Sequence, residues 1–292
     1  ELGRYFERVA GEPPPDASAE QANDFAIGRL AKIPVGVAAA IRAYLATAEV
    51  LGRRTGELHV ALAASTDPAF APAVVEGGAL KVLFDAMRQR AEQHLNLLDA
   101  SLAHLDERVR PPAVALLQDR DVLLHQFEEL RHDASRATMI RVHGDYHLGQ
   151  VLVTEGDVVI LDFEGEPARP VSERRAKSSA LRDVAGMLRS FSYAALTAQQ
   201  AATQLRPDDV SRLAPWAALW ESWVNAAFVR AYRAATRGAA FLPPTPESFE
   251  TMLRAHMVEK AFYEMAYELN NRPAWVHIPL TGLLQLRLRL HA

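Results

Sequence analysis

The sequence predicts a mainly α protein with one small β-hairpin region. Two observations carry that expectation. Long segments repeat apolar residues at intervals of three and four, the period of a helix face. One short stretch, 137–162, instead joins β-branched runs through glycine-containing breaks. A third observation bounds the class: 49% of the 292 residues are hydrophobic and 23% charged, enough apolar material for a large core in a globular chain.

Segment 38–64 places Ile41, Tyr44, Leu45, Leu51, Leu58 and Leu62 on one helical face. Pro34 and Gly36 precede it, and Ser65-Thr66-Asp67-Pro68 ends it. Segment 78–105 repeats the pattern through Leu80, Leu83, Met87, Ala91, Leu95 and Leu98. Pro111 and Pro112 open a third, through Leu116, Leu123, Phe127 and Leu130, since proline suits a first helical turn. These three are expected to pack as a bundle. The period then changes: Thr138–Val142, Val151–Val153 and Val158–Leu161 read as strands, the last two joined by Glu155-Gly156-Asp157. Helices resume over 184–196, 210–233, 246–270 and 278–290, with Trp216, Trp220 and Trp223 read as core.

Composition excludes several function classes. The formal charge is −4 with both signs mixed along the chain, unlike the basic face of a nucleic-acid binder. No apolar run reaches the roughly 18 residues of a membrane helix. The absence of cysteine removes disulfides, thiolate metal sites and a cysteine nucleophile, and fits a reducing cytoplasm.

The hairpin carries the chemistry. With Gly156 at its apex, Thr154 faces Val158, Val153 faces Val159, Leu152 faces Ile160, and Gln150 comes opposite Asp162. Opposed residues stand about 4.5–5.5 Å apart at Cβ, so an amide and a carboxylate converge at the open end. Two hard oxygen ligands, with water and phosphate completing the shell, suit magnesium. Asp145 lies on the turn before the hairpin, where a carboxylate can accept a hydrogen bond from an attacking hydroxyl. In phosphoryl transfer the protein mainly positions groups and stabilises charge.

His143-Gly144-Asp145-Tyr146-His147-Leu148-Gly149-Gln150 followed by Ile160-Leu161-Asp162-Phe163-Glu164 resembles the catalytic and metal motifs of the aminoglycoside phosphotransferase and choline kinase superfamily. Gln150, where that superfamily usually has Asn, is similar to the maltokinase variant, including maltokinases fused to trehalose synthase. Arg53–His59, Asp162–Pro167, Leu181–Arg189 and Lys260–Pro279 look like the same group. The resemblance implies the C-lobe of a protein-kinase-like fold, ATP and Mg2+ as cofactors, and phosphorylation of maltose to maltose 1-phosphate. It implies Asp145 as catalytic base, Gln150 and Asp162 as magnesium and nucleotide ligands, and Glu164 as an additional metal contact.

Bland readings stand beside these. His143 is expected to brace its loop by packing. His147 is either a brace or a substrate contact, and no close His or Cys completes a zinc cluster with the pair. Lys260, Glu264 and Glu268 recur every four residues, the spacing of a solvated ion-pair ladder. Tyr263, Tyr267, Arg272 and Trp275 beside them favour a sugar site, mainly on the resemblance.

Upstream of Asp145 there is no Gly-rich loop, and the only lysines are Lys32 and Lys81, both in helical surroundings. The resemblance places a nucleotide-clamping N-lobe before residue 1, so the chain is expected to be inactive by itself. It also divides the chain into a lead-in over 1–36, a helical subdomain over 37–136, the catalytic loop and metal hairpin over 137–167 and a helical substrate-binding part over 168–292. The expected partners are that N-lobe in cis and a trehalose synthase domain, with no nucleic acid and no membrane. Two other functions fit the residues: a glucosamine or aminoglycoside kinase, and a non-catalytic sugar- or partner-binding domain.

Overall fold

The computed structural model describes residues 2–13, 35–133, 136–167, 169–203 and 210–288. Lys32, Pro34, most of the 1–36 lead-in and the last residues of the 278–290 segment lie outside them. Among the described residues the protein is mainly helical, with two two-stranded antiparallel sheets. No described helix is long and apolar enough to cross a membrane. The chain forms two compact units, each assembled from three separated stretches.

The first unit comprises 1–65, 143–175 and 190–239. It holds α1 (Leu2–Val9), α2 (Val35–Ala63) and most of the hairpin chemistry. The buried face of α2 differs from the one the periodicity suggests. Ile41, Leu45, Ala48 and Leu51 are buried, but the stripe then continues through Thr55 and His59 while Leu58 and Leu62 stay half-exposed. Two polar residues therefore occupy core positions, which requires partners for both. The partner helix is the later Val210–Ala235, which carries Trp216, Trp220 and Trp223 into the core as read, and Phe228 with them. Tyr44 meets Trp220 edge-on at 5.6 Å, a favoured aromatic geometry. Gly52 allows the approach: a Cβ there would lie 2.2 Å from the Phe228 carbonyl oxygen.

The second unit comprises 66–142, 176–189 and 240–292. Strand β1 (Ala73–Glu76) leads into α3 (Gly77–Ser101). Its buried face is Leu80, Phe84, Met87, Ala91, Leu95 and Leu98, so Phe84 replaces the expected Leu83, which is exposed. The third predicted helix is two, α4 (Arg110–Gln118) and α5 (Arg120–Asp133), broken at Asp119. Strand β2 (Arg136–Met139) pairs with β1 from Ala73↔Met139 to Glu76↔Arg136. The sequence shows the second of these strands, shifted by a few residues, but not the first. Ala73–Glu76 is too short to announce itself without its partner.

In the first unit again, β3 (Val151–Val153) pairs with β4 (Val158–Ile160). After α6 (Val171–Arg175), helix α7 (Leu181–Thr203) contributes its start to the second unit and its remainder to the first. The Trp-rich Val210–Ala235 is α8. Helix α9 (Pro246–Asn271) begins with a reciprocal capping box between Thr245 and Ser248, which satisfies two backbone donors at its start. It packs with α3, α5 and α10 (His277–Leu288).

Candidate active site

The hairpin register is one residue away from the expected one. Val151 faces Ile160, Leu152 faces Val159 and Val153 faces Val158. The Thr154 amide donates to Asp157 O at 2.9 Å, so Glu155 and Gly156 form a two-residue turn. Gly156 takes φ 78°, a conformation open to glycine at little cost. A slip of one normally sends every side chain to the opposite face, and here Gln150 sits opposite Leu161, whose amide donates to Gln150 O at 2.9 Å.

The slip does not separate Gln150 from Asp162. Asp162 takes φ 62°, the only positive φ at a non-glycine among the described residues. That left-handed turn, just past the end of β4, brings its carboxylate back, and Gln150 Nε2 donates to Asp162 Oδ2 at 3.0 Å. A non-glycine residue in this conformation costs roughly 1 kcal/mol or more, and such strain concentrates at functional sites.

Asp145 stands on the loop between β2 and β3, its side chain 20% exposed. Gly144 before it takes φ 86°, and a Cβ there would lie 3.3 Å from Gly165 Cα. The loop is tied from several sides. His143, buried, donates from Nε2 to Leu161 O at 2.7 Å and accepts the Asp145 amide at Nδ1, 3.4 Å away. A donor at Nε2 and an acceptor at Nδ1 fix one tautomer, so the imidazole links the Asp145 turn to the residue before Asp162. His147 accepts the Gly149 amide at Nδ1, 3.0 Å, while its Nε2 lies 3.9 Å from Asp145 Oδ2. His147 thus braces the short 3-10 turn Leu148–Gln150 and also faces the carboxylate. Ser190 Oγ accepts the Leu148 amide at 3.0 Å.

Gln150 and Asp162 fit a hard cation. Both are oxygen ligands, they already touch, and the amide can present Oε1 in place of Nε2 by a half-turn. Glu164 is different. Its side chain is 80% exposed and lies 3.9 Å from Arg174 Nη1. Among the described residues no three His, Cys, Asp or Glu side chains gather as a metal cluster, and Glu164 stays a proposed additional contact to the Gln150–Asp162 pair. Glu166 is buried and paired with Arg169 at 2.7 Å.

The remaining predicted residues lie in the second unit, on α9, on the 3-10 turn Pro273–Trp275 and, for Arg272, at the junction between them. They are organised by cations. Glu264 Oε2 accepts both Nε (2.9 Å) and Nη2 (2.8 Å) of Arg189, which is 2% exposed against 11% for the glutamate. Glu268, buried, accepts a fork from Arg272 at 2.6 and 3.0 Å. Arg272 also lies 5.5 Å from the Tyr267 ring and 5.2 Å from that of Trp275, and Lys260 Nζ sits 4.7 Å over Tyr263. The glutamates therefore belong to arginine pairs, whereas the four-residue spacing suggested a ladder with Lys260. Arg189 falls in the Leu181–Arg189 stretch read from the sequence, but its pairing with Glu264 was not expected. It lies 75 positions from Glu264, and no local pattern couples them.

No protein-family model matches the chain. Among curated proteins, a glucosamine kinase of Streptacidiphilus jiangxiensis is 30% identical over 278 residues, covering 91% of this chain and 55% of the relative. A glucosamine kinase of Mycolicibacterium smegmatis is 33% identical over 157 residues, 52% of this chain and 35% of the relative. The chain thus spans about half the length, or less, of the curated relatives it matches. Solved structures agree. One of a glucosamine kinase in complex with glucosamine, ADP and inorganic phosphate matches with TM-score 0.65 at 23% identity, over 94% of this chain and 60% of that one. A glucosamine kinase in crystal form B gives TM-score 0.64 at 24% identity, over 94% and 58%.

The chain has the fold of the part of these glucosamine kinases that it covers. The comparisons correct the family expectation: the matching proteins are glucosamine kinases, and assignment to maltokinases of the aminoglycoside phosphotransferase and choline kinase superfamily is not supported. The same matches give no support to a trehalose synthase partner. The Gln150 variant misled because it is a single amide position, whereas the match extends over 278 residues.

Proposed function

We propose that the chain carries the phosphoryl-transfer centre of an ATP-dependent glucosamine kinase. The observation that carries this reading is the convergence of Gln150 and Asp162 at 3.0 Å, across a strained residue, beside the loop bearing Asp145. The substrate class comes from the glucosamine kinases matched along most of the chain.

Asp145 accepts a hydrogen bond from the sugar hydroxyl and so orients it toward the γ-phosphorus. As the new O–P bond forms and the β–γ bridge bond breaks, the hydroxyl proton passes to the Asp145 carboxylate, and ADP leaves. Gln150 and Asp162 are the residues to hold Mg2+, which when bound neutralises phosphate charge. Little covalent chemistry falls to the protein, so positioning supplies most of the catalysis. His143 contributes by fixing the Asp145 turn to the residue preceding Asp162.

In the second unit, Lys260, Tyr263, Glu264, Tyr267, Glu268, Arg272 and Trp275 remain proposed sugar contacts; in the first, His147 beside Asp145 remains a proposed substrate contact in its own right. Aromatic faces suit sugar rings, and carboxylates suit an ammonium group. The geometry adds a constraint: Glu264 and Glu268 reach a ligand only while also serving Arg189 and Arg272.

The test is ADP release by the natural polypeptide containing this chain, with glucosamine, N-acetylglucosamine, glucose, maltose and an aminoglycoside as acceptors. Glucosamine should give the highest kcat/KM, by about tenfold or more over glucose, the scale of a lost charge-assisted hydrogen bond. Equal rates with glucose and glucosamine would exclude recognition of the amine.

A further inference from the structure

The buried face of α2 contains Thr55 and His59 where the apolar stripe should continue. His59 is accounted for by Tyr232 of α8, Nδ1 to OH at 3.0 Å within the helix pair. The hydroxyl of Thr55 reaches outside that pair. Its Oγ1 donates to Leu51 O at 2.8 Å and lies 2.8 Å from the Tyr146 hydroxyl. A threonine hydroxyl has one proton, and it goes to the carbonyl, so Tyr146 is the donor to Thr55 Oγ1. Thr55 is 0% and Tyr146 3% exposed, so the bond is shielded from water. Tyr146 directly follows Asp145, and its ring packs on His143 at 5.2 Å.

The adjacent residue of α2 reaches the other part of the site. Arg54 Nε donates to Asp157 Oδ1 at 2.8 Å and Nη2 to Oδ2 at 2.5 Å, a two-pronged grip on the hairpin turn. Glu57 holds the same guanidinium at 2.6 Å. Helix α2 is itself fixed. Gly52 and Gly56, one turn apart, admit α8 so closely that a Cβ would meet Phe228 O at 2.2 Å and Ala235 Cβ at 2.7 Å.

We propose that Arg54 and Thr55 are positioning residues for phosphoryl transfer: one helix turn, pressed against α8, holds the Asp145 loop through Tyr146 and the Gln150–Asp162 hairpin through Asp157. This inference rests on the kinase reading of the same site and extends it to residues that touch neither substrate. Two adjacent helix positions serve because their side chains diverge by about 100°, so one rigid turn addresses both the loop and the hairpin.

The experiment uses Thr55→Val, Tyr146→Phe and their combination in the natural polypeptide, with Thr55→Ser as the conservative control. Each single variant should lower kcat by about tenfold to a hundredfold, the scale of small misplacements of a reacting group. The KM for the sugar should stay within about twofold, because ground-state binding is not involved. The double variant should be no slower than the worse single variant, and Thr55→Ser should recover the rate. Amide hydrogen exchange, which needs no substrate, should accelerate over 144–150 in both single variants while the helices stay protected. Unchanged exchange there in both variants, or additive kcat losses in the double variant, overturns the proposal. A wild-type protein without glucosamine-dependent ADP release sinks the kinase reading instead, and the exchange result still decides the clamp.

Discussion

The hairpin region and the α9 stretch hold the groups assigned to the proposed site by different means. Around Asp145, Gln150 and Asp162 the backbone does the placing: a glycine at φ 86°, an aspartate at φ 62°, a 3-10 turn and a two-residue hairpin loop. Along 260–275 the side chains place one another, through Arg189 on Glu264 and Arg272 on Glu268. The first arrangement leaves Asp162 exposed at the hairpin end, where a side chain can change without opening the core. The second buries charge, so the same atoms that are proposed to meet the sugar also hold the fold. Substitutions should therefore separate activity from stability in the hairpin and merge them on α9.

The largest separation is expected for Asp145→Asn. ADP release should fall by about a thousandfold or more with the melting temperature nearly unchanged, since the base is lost but the shape is kept. A near wild-type rate would remove Asp145 from the chemistry. On the other side of the comparison, Arg189→Met leaves the mostly buried Glu264 carboxylate without its cation. Breaking one half of such a pair costs about 3–5 kcal/mol, so chemical denaturation should show a large loss together with weaker sugar binding. Loss of binding at full stability would mean that Arg189 is a ligand contact instead of a brace.

Smaller effects sharpen the picture in the first unit. Gly52→Ala forces a methyl group into the Phe228 carbonyl and should destabilise by about 1–3 kcal/mol. Near-neutral behaviour would show that α2 can lift from α8 at little cost. The smallest effect concerns Asp157, whose carboxyl the Arg54 guanidinium holds down at about 2 against an ordinary 3.8. Its folded value is depressed, so its contribution is present above 3.8 and is lost as pH falls through about 2. The melting-temperature gap between wild type and Asp157→Asn should hold near neutrality and close on acidification across that window. Both groups are well exposed, which keeps the gap modest.

What was legible in the sequence was local. Helical periods located α2, α3, α7, α8, α9 and α10, because each period is set within a few turns. The approach of Gln150 to Asp162 was legible, since the strand, turn and strand between them confine both to one neighbourhood. Tertiary contacts decided the rest. The hairpin turn settled between Glu155 and Gly156, moving the register by one, and only the left-handed Asp162 restored the contact the simple register had suggested. Strand β1 exists because β2, some sixty residues away, pairs with it. The Arg189–Glu264 and Thr55–Tyr146 pairs join residues 75 and 91 positions apart. Periodicity and turn chemistry are written into neighbouring residues, whereas the choice of a distant partner is made by packing, which no stretch of chain contains by itself.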